Sequence, residues 1–338
     1  MIQNICHLIA SREHGGLEKH VADLSGWQAR NTDARVAVIA HPRYQATLDQ
    51  NVVFIPLNTD RSRHHPNLVW RLANQIRQGN YQITHGHGSK SAQLLAAVKP
   101  YTDCLQVITR HNVRHPRDKL ASAFDARIAI SKGTVANSKL TWHIIPNGAE
   151  PAPPASGTNA LLQTAAARPT LLVASRLIKA RGVDVMIDAM AAIPEAQLMV
   201  VGDGPEKIAL EQQVQMLELQ DRISFFRADD TIAQFLQAAN LVVIPARAEG
   251  TPYTLIESLL QQRAVIASHT GNAEEYLPPE YLLEEVTAAE IATKVRRALA
   301  DPDAVARDFK PLFERADREL TLDSMARATW DVYTRLIA

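Results

Sequence analysis

The stretch TLLVASRLIKARGVDVMIDAM, residues 170–190, starts as a buried strand and ends in a helical pattern of apolar residues. The turn between them, residues 175–182, is polar and carries three cations. A strand that leads through such a turn into a helix is the repeating unit of a parallel α/β sheet. Ligands of these sheets lie beyond the carboxyl ends of the strands, so we expect this turn to face a ligand.

Short β-rich runs and helical patterns alternate along the rest of the chain. Prolines and small polar residues at 151–157 indicate a linker. We therefore predict an α/β protein with two tandem Rossmann-like, doubly wound domains facing a cleft, residues 1–150 and 151–320. We expect a C-terminal helix, 321–338, to cross back to the first domain. The predicted strands are 2–9, 35–40, 52–56, 81–85, 105–109, 127–131, 142–146, 170–174, 197–201, 222–226, 241–244 and 264–267. The predicted helices are 16–30, 182–192, 205–217, 231–238, 253–262 and a tail at 288–338 broken near Pro302 and Pro311.

The composition excludes several classes of protein. The 338 residues are 46% hydrophobic and 21% charged, which is enough for two ordinary cores. Aromatic residues make up only 5%, which disfavours nucleic-acid binding by base stacking, so we expect no nucleic-acid partner. Apolar runs are too short to span a bilayer, and the first ten residues lack a cationic leader. Cys6 and Cys104 lie in apolar runs, as is typical of a reducing cytosol, so we expect a cytoplasmic protein.

The zero net charge hides an uneven distribution. Residues 1–150 hold 18 Lys and Arg against 10 Asp and Glu, and the remainder holds 18 against 26. Arg61 and Arg63 precede a helical pattern that contains Trp70, and residues 110–119 form a second basic run. Basic residues beside an aromatic suit anionic lipid, which favours peripheral binding to the inner face of the cytoplasmic membrane through the first domain. Binding of a phosphorylated acceptor, a solvated helix face and simple charge drift between domains are the alternatives.

Three turns have the composition of an anion site. Gly15 and Gly16 follow the first strand directly before a helix, where backbone amides can approach a phosphate. The strict three-glycine dinucleotide fingerprint is absent, which disfavours a nicotinamide oxidoreductase. In the second domain Arg176, Lys179 and Arg181 precede a helix, although the helix dipole disfavours cations there. A bound anion would resolve that conflict.

The third turn precedes the helical pattern at 253–262. Pro252 stands where a helix would begin, and the amides of residues 250–254 can form a second anion nest. Glu249 in the turn and Glu257 one turn into the helix cannot bind a diphosphate, but they can accept hydrogen bonds from sugar and ribose hydroxyls.

The twelve histidines raise the question of a metal site. We expect His85 and His87, at a strand end, to point to opposite faces of the sheet, which makes them a poor pair for one ion. His64 and His65 follow Arg63, whose charge opposes a cation. Asp301 and Asp303 lie at a helix junction, where aspartate is an ordinary cap. We therefore expect neither a metal nor a cofactor.

Several short motifs occur together in a specific order. In the second half Ser175-Arg176-Leu177 is followed by Gly182, then by Val201-Gly202-Asp203-Gly204-Pro205, then by Glu249 and Glu257. The first half contains Gly15-Gly16 with Glu18, Thr84-His85-Gly86-His87-Gly88, Thr109-Arg110-His111-Asn112, Ala129-Ile130-Ser131 and Ile145-Pro146-Asn147-Gly148. In this order the motifs resemble those of the family 4 retaining glycosyltransferases, which have the GT-B fold. The resemblance runs from Ile5 to about Gly271.

The resemblance implies transfer of a sugar, with retention of configuration, from a nucleotide diphosphate to a saccharide or lipid-linked acceptor. UDP is favoured because it is the commonest donor nucleotide in such families, and synthesis of bacterial surface glycan or lipopolysaccharide is the family-level expectation. No metal is required. The residues that the resemblance implies are catalytic His111, Arg176, Arg181 and Glu249; donor-binding Gly15, Gly16, Arg176, Lys179, Arg181, Gly202, Arg227, Glu249, Gly250, Thr251, Pro252, Tyr253, Thr254 and Glu257; and acceptor-side His85, His87, Asn112 and Asn147.

The sequence departs from the family pattern at two places. Arg181 stands where the family has lysine, with Lys179 as a rival, and a glycine-rich stretch is reduced to His269-Thr270-Gly271-Asn272. Three other functions share this architecture: a sugar-nucleotide epimerase, a glycosyl phosphorylase and a non-catalytic subunit. Retention of Arg176, Arg181, Glu249 and Glu257 argues against the last of these.

Overall fold

The computed structural model describes residues 1–11, 15–112, 116–151, 168–227, 232–247 and 253–338. These residues form two compact units: unit 1 is residues 1–149 with 319–338, and unit 2 is residues 150–318. Each unit contains one parallel sheet with helices between successive strands, which confirms the predicted α/β fold class. Most of the proline-rich segment predicted as a linker, including Pro153, Pro154, Ser156 and Gly157, lies outside the described residues.

Unit 1 is built on a sheet in the order β3-β2-β1-β4-β5-β6-β7. Its strands are β1 Asn4–Ile9, β2 Arg35–Ala40, β3 Val53–Pro56, β4 Ile83–His87, β5 Leu105–Arg110, β6 Ala126–Ala129 and β7 His143–Ile144. Its helices include α1 Gly16–Asn31, α2 Pro66–Gly79, α3 Gly88–Val98 and α4 Asp118–Ala121, with 3-10 turns at Pro42–Thr47, Lys99–Tyr101 and Gly133–Val135.

Unit 2 has the sheet order β10-β9-β8-β11-β12-β13. Its strands are β8 Thr170–Ala174, β9 Gln197–Val201, β10 Ile223–Phe226, β11 Leu241–Ile244, β12 Val265–Ser268 and β13 Leu282–Leu283. Its helices include α5 Val183–Met190, α6 Lys207–Met216, α7 Ile232–Ala238, α8 Tyr253–Leu260, α9 Ala273–Tyr276, α10 Ala288–Ala300 and α11 Pro302–Glu319, with 3-10 turns at Lys179–Arg181 and Pro279–Tyr281. The last helix, α12 Leu322–Ile337, belongs to unit 1.

The two faces of the unit 1 sheet carry separate cores, because successive side chains of a strand point to opposite faces. On one face Ile5 and Ile83 pack with Leu24 of α1 and Met325 of α12. On the other face Leu8 packs with residues of α2 and α3. Helix α12 therefore completes the core of unit 1, although it lies more than 170 residues beyond β7 in the sequence.

The predicted break at Pro302 is confirmed, but the predicted break at Pro311 is wrong. Proline removes one backbone donor, yet α11 continues through Pro311 to Glu319, and its Phe309 and Ala316 are buried. The helix ends instead before Leu320 and Thr321. The Thr321 side chain caps α12 by accepting a hydrogen bond from the Ser324 amide at 3.1 Å. Among the described residues no helix is both long and apolar enough to cross a membrane.

Candidate functional site

The cationic turn of unit 2 lies against the turn that follows β9. The Ser175 amide donates to the Val201 carbonyl at 3.0 Å, and the Leu177 amide donates to the Asp203 carbonyl at 2.8 Å. A Cβ on Gly202, whose φ is 154°, would lie 1.9 Å from the Ser175 carbonyl oxygen. Only glycine permits this approach, so the predicted site residue Gly202 positions the turn through its backbone.

Gly182 brings the same turn against the end of β11. Its φ is 68°, and an added Cβ would lie 1.9 Å from the carbonyl oxygen of Pro245. At the start of α8, the Thr254 hydroxyl donates to the Ala174 carbonyl at 2.9 Å. The carboxyl ends of β8 and β11 and the first turn of α8 therefore meet at one place, as expected for a binding site of a parallel sheet.

Three cations surround this place. Arg176 and Lys179 are exposed, and Arg181 is half-buried at the end of a 3-10 turn that leads into α5. Burial lowers the pKa of Arg181, and the neighbouring charge of Arg176 lowers it further. Like charges held together before a helix are the arrangement that binds a phosphate, and guanidinium groups bind phosphate oxygens in pairs.

Arg247 holds the cationic turn from the other side. Its guanidinium donates to both carboxylate oxygens of Asp184 at 2.7 Å, and to the Lys179 carbonyl at 2.8 Å. Its amide also donates to the Ala180 carbonyl at 2.9 Å. Burial would raise the pKa of Asp184, but the hydrogen bonds and charge of Arg247 hold it below its usual value. This ion pair joins residues 63 positions apart and was not predicted from the sequence.

The other residues predicted to bind the donor occupy the neighbouring loops. Tyr253 and Glu257 lie half-buried on α8, and Arg227 is exposed directly after β10. Near them the Ser175 hydroxyl is buried and has no hydrogen-bond partner among the described residues. The remaining four predicted donor-site residues lie outside the described part of the chain: Glu249, Gly250, Thr251 and Pro252.

In unit 1 the glycine turn precedes α1 as predicted. Gly15 is the N-cap residue, and its carbonyl accepts a hydrogen bond from the Lys19 amide at 3.1 Å. Gly15 and Gly16 are exposed. Glu18, in the first turn of α1, is only 7% exposed and its Oε1 has no hydrogen-bond partner among the described residues.

Five histidines gather where β1, β4 and β5 approach their carboxyl ends. The register of β1 and β4 pairs His7 with His85, and β4 ends at His87. The expectation that His85 and His87 point to opposite faces is wrong, because residues two apart in a strand share a face. Their ring centres lie 4.1 Å apart. His20 of α1 and His111, just after β5, complete the group, which we call the histidine cluster.

Hydrogen bonds connect most of the histidine cluster. His85 binds the Tyr333 hydroxyl and, at 2.7 Å, the Thr109 hydroxyl. His7 Nε2 lies 2.7 Å from Gln28 Oε1, and His7 Nδ1 lies 3.0 Å from His87 Nε2. Burial lowers the pKa of His7 to about 4 and that of His20 to about 3. Burial likewise holds the pKa of His85, His87 and His111 well below the usual value, so all five rings are neutral at pH 7.

The two predicted acceptor-side asparagines lie near this cluster. Asn147 is 3% exposed, and its side chain acts on His20 as a hydrogen-bond partner. Asn112 is half-buried, and its carbonyl accepts from Arg110 Nε at 3.0 Å. The structure thus brings His85, His87 and His111 together, while His7 and His20 were missed. The sequence did contain a signal for His7. It lies two residues after Ile5 in β1, so both side chains point to the face of the sheet that α1 covers.

Two family models match the chain, one in each half. The model of Glycosyltransferase Family 4 matches residues 14–152, and that of Glycosyl transferases group 1 matches residues 162–311. The chain is 24% identical over 308 residues to the phosphatidylinositol N-acetylglucosaminyltransferase gpi3 subunit of Schizosaccharomyces pombe, a match that covers 78% of this chain and 65% of that protein. It is 25% identical to a lipopolysaccharide core biosynthesis glycosyltransferase of Rhizobium meliloti, over 53% of this chain and 52% of that protein.

These matches span less than two-thirds of the length of each curated relative. Similarity to solved structures covers nearly the whole chain. The crystal structure of Anabaena HepE in complex with UDP and glucose superposes with a TM-score of 0.82 at 20% identity, over 99% of this chain and 100% of that chain. The two family models, which together match most of the chain, show that it belongs to the group 1 glycosyltransferases of family 4, and the similarity to HepE shows that it has the GT-B fold.

Proposed function

We propose that this glycosyltransferase moves a sugar, with retention of configuration, from a UDP-linked donor bound by unit 2 to a saccharide or lipid-linked acceptor bound by unit 1. The observation that carries the proposal is that two like charges, Arg176 and Arg181, lie close enough to interact just before α5. The first turn of α8 lies beside them. The HepE complex with UDP and glucose supports UDP as the nucleotide, and the Rhizobium relative supports a lipopolysaccharide acceptor.

The chemistry follows from the charges. Cleavage of the bond between sugar and phosphate leaves additional negative charge on the diphosphate. Arg176, Arg181 and the backbone amides around them would stabilise that charge in the transition state, which is the largest contribution that such sites make to catalysis. Arg247 would keep the turn in place through its bonds to Asp184 and Lys179. In this proposal the cations neutralise the diphosphate without a bound metal.

His111 is the residue we propose to face the reacting groups in unit 1. It is the most exposed member of the histidine cluster, and its ring is neutral because burial lowers its pKa. A neutral imidazole can accept a hydrogen bond from an acceptor hydroxyl at pH 7. Glu257 would contact the ribose, and Glu249, outside the described residues, would contact the transferred sugar.

A peripheral position on anionic membrane is the second part of the proposal. Trp70 of α2 is 63% exposed, and Arg71 and Arg77 are exposed on the same helix. An amphipathic helix with an aromatic and arginines on its outer side suits the headgroup region of anionic lipid. This surface, Trp70 with Arg71 and Arg77, is called the α2 surface below.

Thermal unfolding in the presence of UDP, GDP, ADP or CMP tests the donor site. We expect UDP alone to raise the midpoint, because a ligand at about 100 times its Kd stabilises by about 2.7 kcal/mol. Arg176→Ala should weaken UDP binding at least tenfold, since a hydrogen bond to a charged group contributes about 1.5–3 kcal/mol. Arg296→Ala is the matched control, because Arg296 is an exposed arginine of α10 paired with Glu195.

The outcomes separate the alternative functions. No shift with any nucleotide would overturn the donor site and leave the non-catalytic subunit. Recovery of an epimerised donor, or dependence on inorganic phosphate, would replace transfer with epimerase or phosphorylase activity. Retention is tested by the anomeric coupling constant of the product, which should match that of the donor sugar.

A further inference from the structure

The ring nitrogens of the histidine cluster are unequally satisfied. His85 uses both nitrogens, one with the Tyr333 hydroxyl and one with the Thr109 hydroxyl. His7 also uses both, with Gln28 and with His87. His20 is only 3% exposed; the side chain of Asn147 acts on its ring as a hydrogen-bond partner, and its other ring nitrogen has no hydrogen-bond partner among the described residues. A buried polar atom without a partner is unfavourable, so this ring is suited to a ligand.

The ring positions of His20, His87 and His111 match those of metal ligands. The ring centre of His20 lies 4.8 Å from that of His111 and 5.3 Å from that of His87, and the last two lie 5.7 Å apart. Three histidines bound tetrahedrally to one ion at about 2.0–2.1 Å have ring centres about 5.2 Å apart. The measured separations scatter around that value.

The distance between the facing nitrogens leads to the same conclusion. His87 Nδ1 and His111 Nε2 lie 3.4 Å apart, which is longer than a usual N–H hydrogen bond. It is close to the roughly 3.3 Å between two nitrogens of one tetrahedral metal centre. One nitrogen from each of His20, His87 and His111 lies within 4.8 Å of the others, so a modest side-chain movement would bring all three to an ion.

The surrounding hydrogen bonds have the arrangement that orients metal-binding histidines. A ligating histidine usually donates its second N–H to a neighbouring acceptor. His87 Nε2 would donate to His7 Nδ1 at 3.0 Å, and His7 Nε2 would in turn donate to Gln28 Oε1 at 2.7 Å. The side chain of Asn147 is buried beside His20, and its Oδ1 would accept a hydrogen bond from the second nitrogen of His20.

We propose that His20, His87 and His111 bind one divalent transition-metal ion, of which Zn²⁺ fits best because neutral imidazoles in tetrahedral geometry are its ordinary ligands. Three protein ligands leave a coordination position for water or an acceptor oxygen. The site does not depend on the proposed transfer activity. A bound ion would occupy the His111 nitrogen that otherwise accepts from the acceptor hydroxyl, so the ion and that hydrogen bond would exclude each other. The alternative trio of His7, His85 and His87 fits less well, because His7 and His85 already use every ring nitrogen.

Titration of the untagged, chelator-treated protein with Co²⁺ tests the site. We expect one equivalent per chain and the visible absorption of tetrahedral cobalt, displaced by Zn²⁺. His20→Ala should weaken binding more than the roughly 10–100-fold expected when only an outer-shell partner is lost, and His7→Gln should show that smaller loss. His64→Ala is the matched control, because His64 is an exposed histidine of unit 1.

Absence of stoichiometric binding would overturn the proposal, and so would binding that His20→Ala leaves unchanged. If His20→Ala does not fold, as judged by its circular dichroism, His111→Gln provides the same test. Binding of UDP is measured on the same samples. Because the residues predicted to bind UDP in unit 2 are not changed, loss of cobalt binding with retained UDP binding reports on the metal site alone.

Discussion

The Tyr333 hydroxyl of α12 forms a hydrogen bond with Nδ1 of His85 in β4, joining residues 248 positions apart. Both side chains are buried, and the other nitrogen of His85 is held by Thr109 at 2.7 Å. The C-terminal helix thus fixes the orientation of one ring of the histidine cluster. Removal of α12 would therefore disturb both the core of unit 1 and the geometry of its candidate site.

Tyr333→Phe tests this connection. The substitution keeps the ring but leaves His85 Nδ1 buried without a partner, so we expect a loss of about 1–3 kcal/mol in the free energy of unfolding. Tyr333→Ala should cost more, about 3–5 kcal/mol, because it also leaves a cavity. Urea unfolding measures both. Tyr101 is 59% exposed, so Tyr101→Phe should change the free energy of unfolding by less than about 0.5 kcal/mol. If Tyr101→Phe cost as much as Tyr333→Phe, the loss could not be attributed to the hydrogen bond with His85.

Gly182→Ala should be severe, for two independent reasons. Alanine at φ 68° is strained, and its Cβ would lie 1.9 Å from the Pro245 carbonyl oxygen, so the turn before α5 must move. We expect the free energy of unfolding to fall by at least about 2 kcal/mol in the absence of UDP. In the presence of UDP we expect it to fall further, because the variant also loses the stabilisation that bound UDP provides. Both quantities come from urea titrations with and without UDP.

Gly15→Ala is the comparison for stability. Its backbone is extended, and an added Cβ would make only an ordinary contact, 3.6 Å from Glu18 Oε2. We expect its unfolding free energy to change by less than about 0.5 kcal/mol. If Gly182→Ala were as mild as Gly15→Ala, the close approach of the cationic turn to β11 would be wrong.

The buried histidines make the stability of the metal-free protein depend on pH. Burial lowers the pKa of His7 to about 4 and that of His20 to about 3, whereas an unfolded histidine titrates near 6.5. Between these values the unfolded chain binds protons that the native protein does not, so stability falls as pH falls from 7 towards 4. His7 alone should account for about 2 kcal/mol between pH 7 and pH 5.

Urea unfolding in the presence of a chelator, repeated at each pH, measures this dependence. His7→Gln should reduce the slope of stability against pH, because one titrating group is removed. His64→Ala should leave the slope unchanged, since His64 is exposed. A stability that stays constant between pH 7 and pH 5 would show that the cluster is accessible to protons in the native protein.

Much of the fold was predictable because apolar runs end sharply at turn residues. The bounds of β2, β8, β9 and β11 coincide with those predicted. Strand β4 was placed two residues too early, because Gly86 and His87 have the composition of a turn but pair with Ile108 and Thr109 in the ladder. The two-residue strand β13 was not predicted, because its ladder with β12 depends on tertiary contact.

The candidate site was less accessible to sequence reasoning. Short motifs located the turns, since their backbone requirements, such as the glycine at 202, are local. The pairing of Arg247 with Asp184 depends on how two distant loops meet, which no local pattern encodes. His7 and His20 were missed for the same reason. Correct use of the two-residue period of a strand would have placed His85 and His87 together.

Binding of the α2 surface to vesicles is the last prediction. Trp70 is 63% exposed, while Leu68 and Leu72 of the same helix are buried, so the ring is not required by the core. We expect the protein to sediment with vesicles of phosphatidylcholine and phosphatidylglycerol at low salt, but not with phosphatidylcholine alone. Arg71→Gln should weaken this binding about fivefold, because each surface arginine contributes about 1 kcal/mol, and added salt should weaken it further.

Trp70→Ser should weaken vesicle binding without changing the unfolding midpoint, because it removes a ring that would insert at the headgroup level. Tyr101→Ser is the matched control, since Tyr101 is an aromatic residue 59% exposed at a 3-10 turn elsewhere in unit 1. If Tyr101→Ser and Trp70→Ser weakened sedimentation equally, the attraction would come from the general charge of the protein. Sedimentation with neutral vesicles to the same extent would exclude the electrostatic contribution of Arg71 and Arg77.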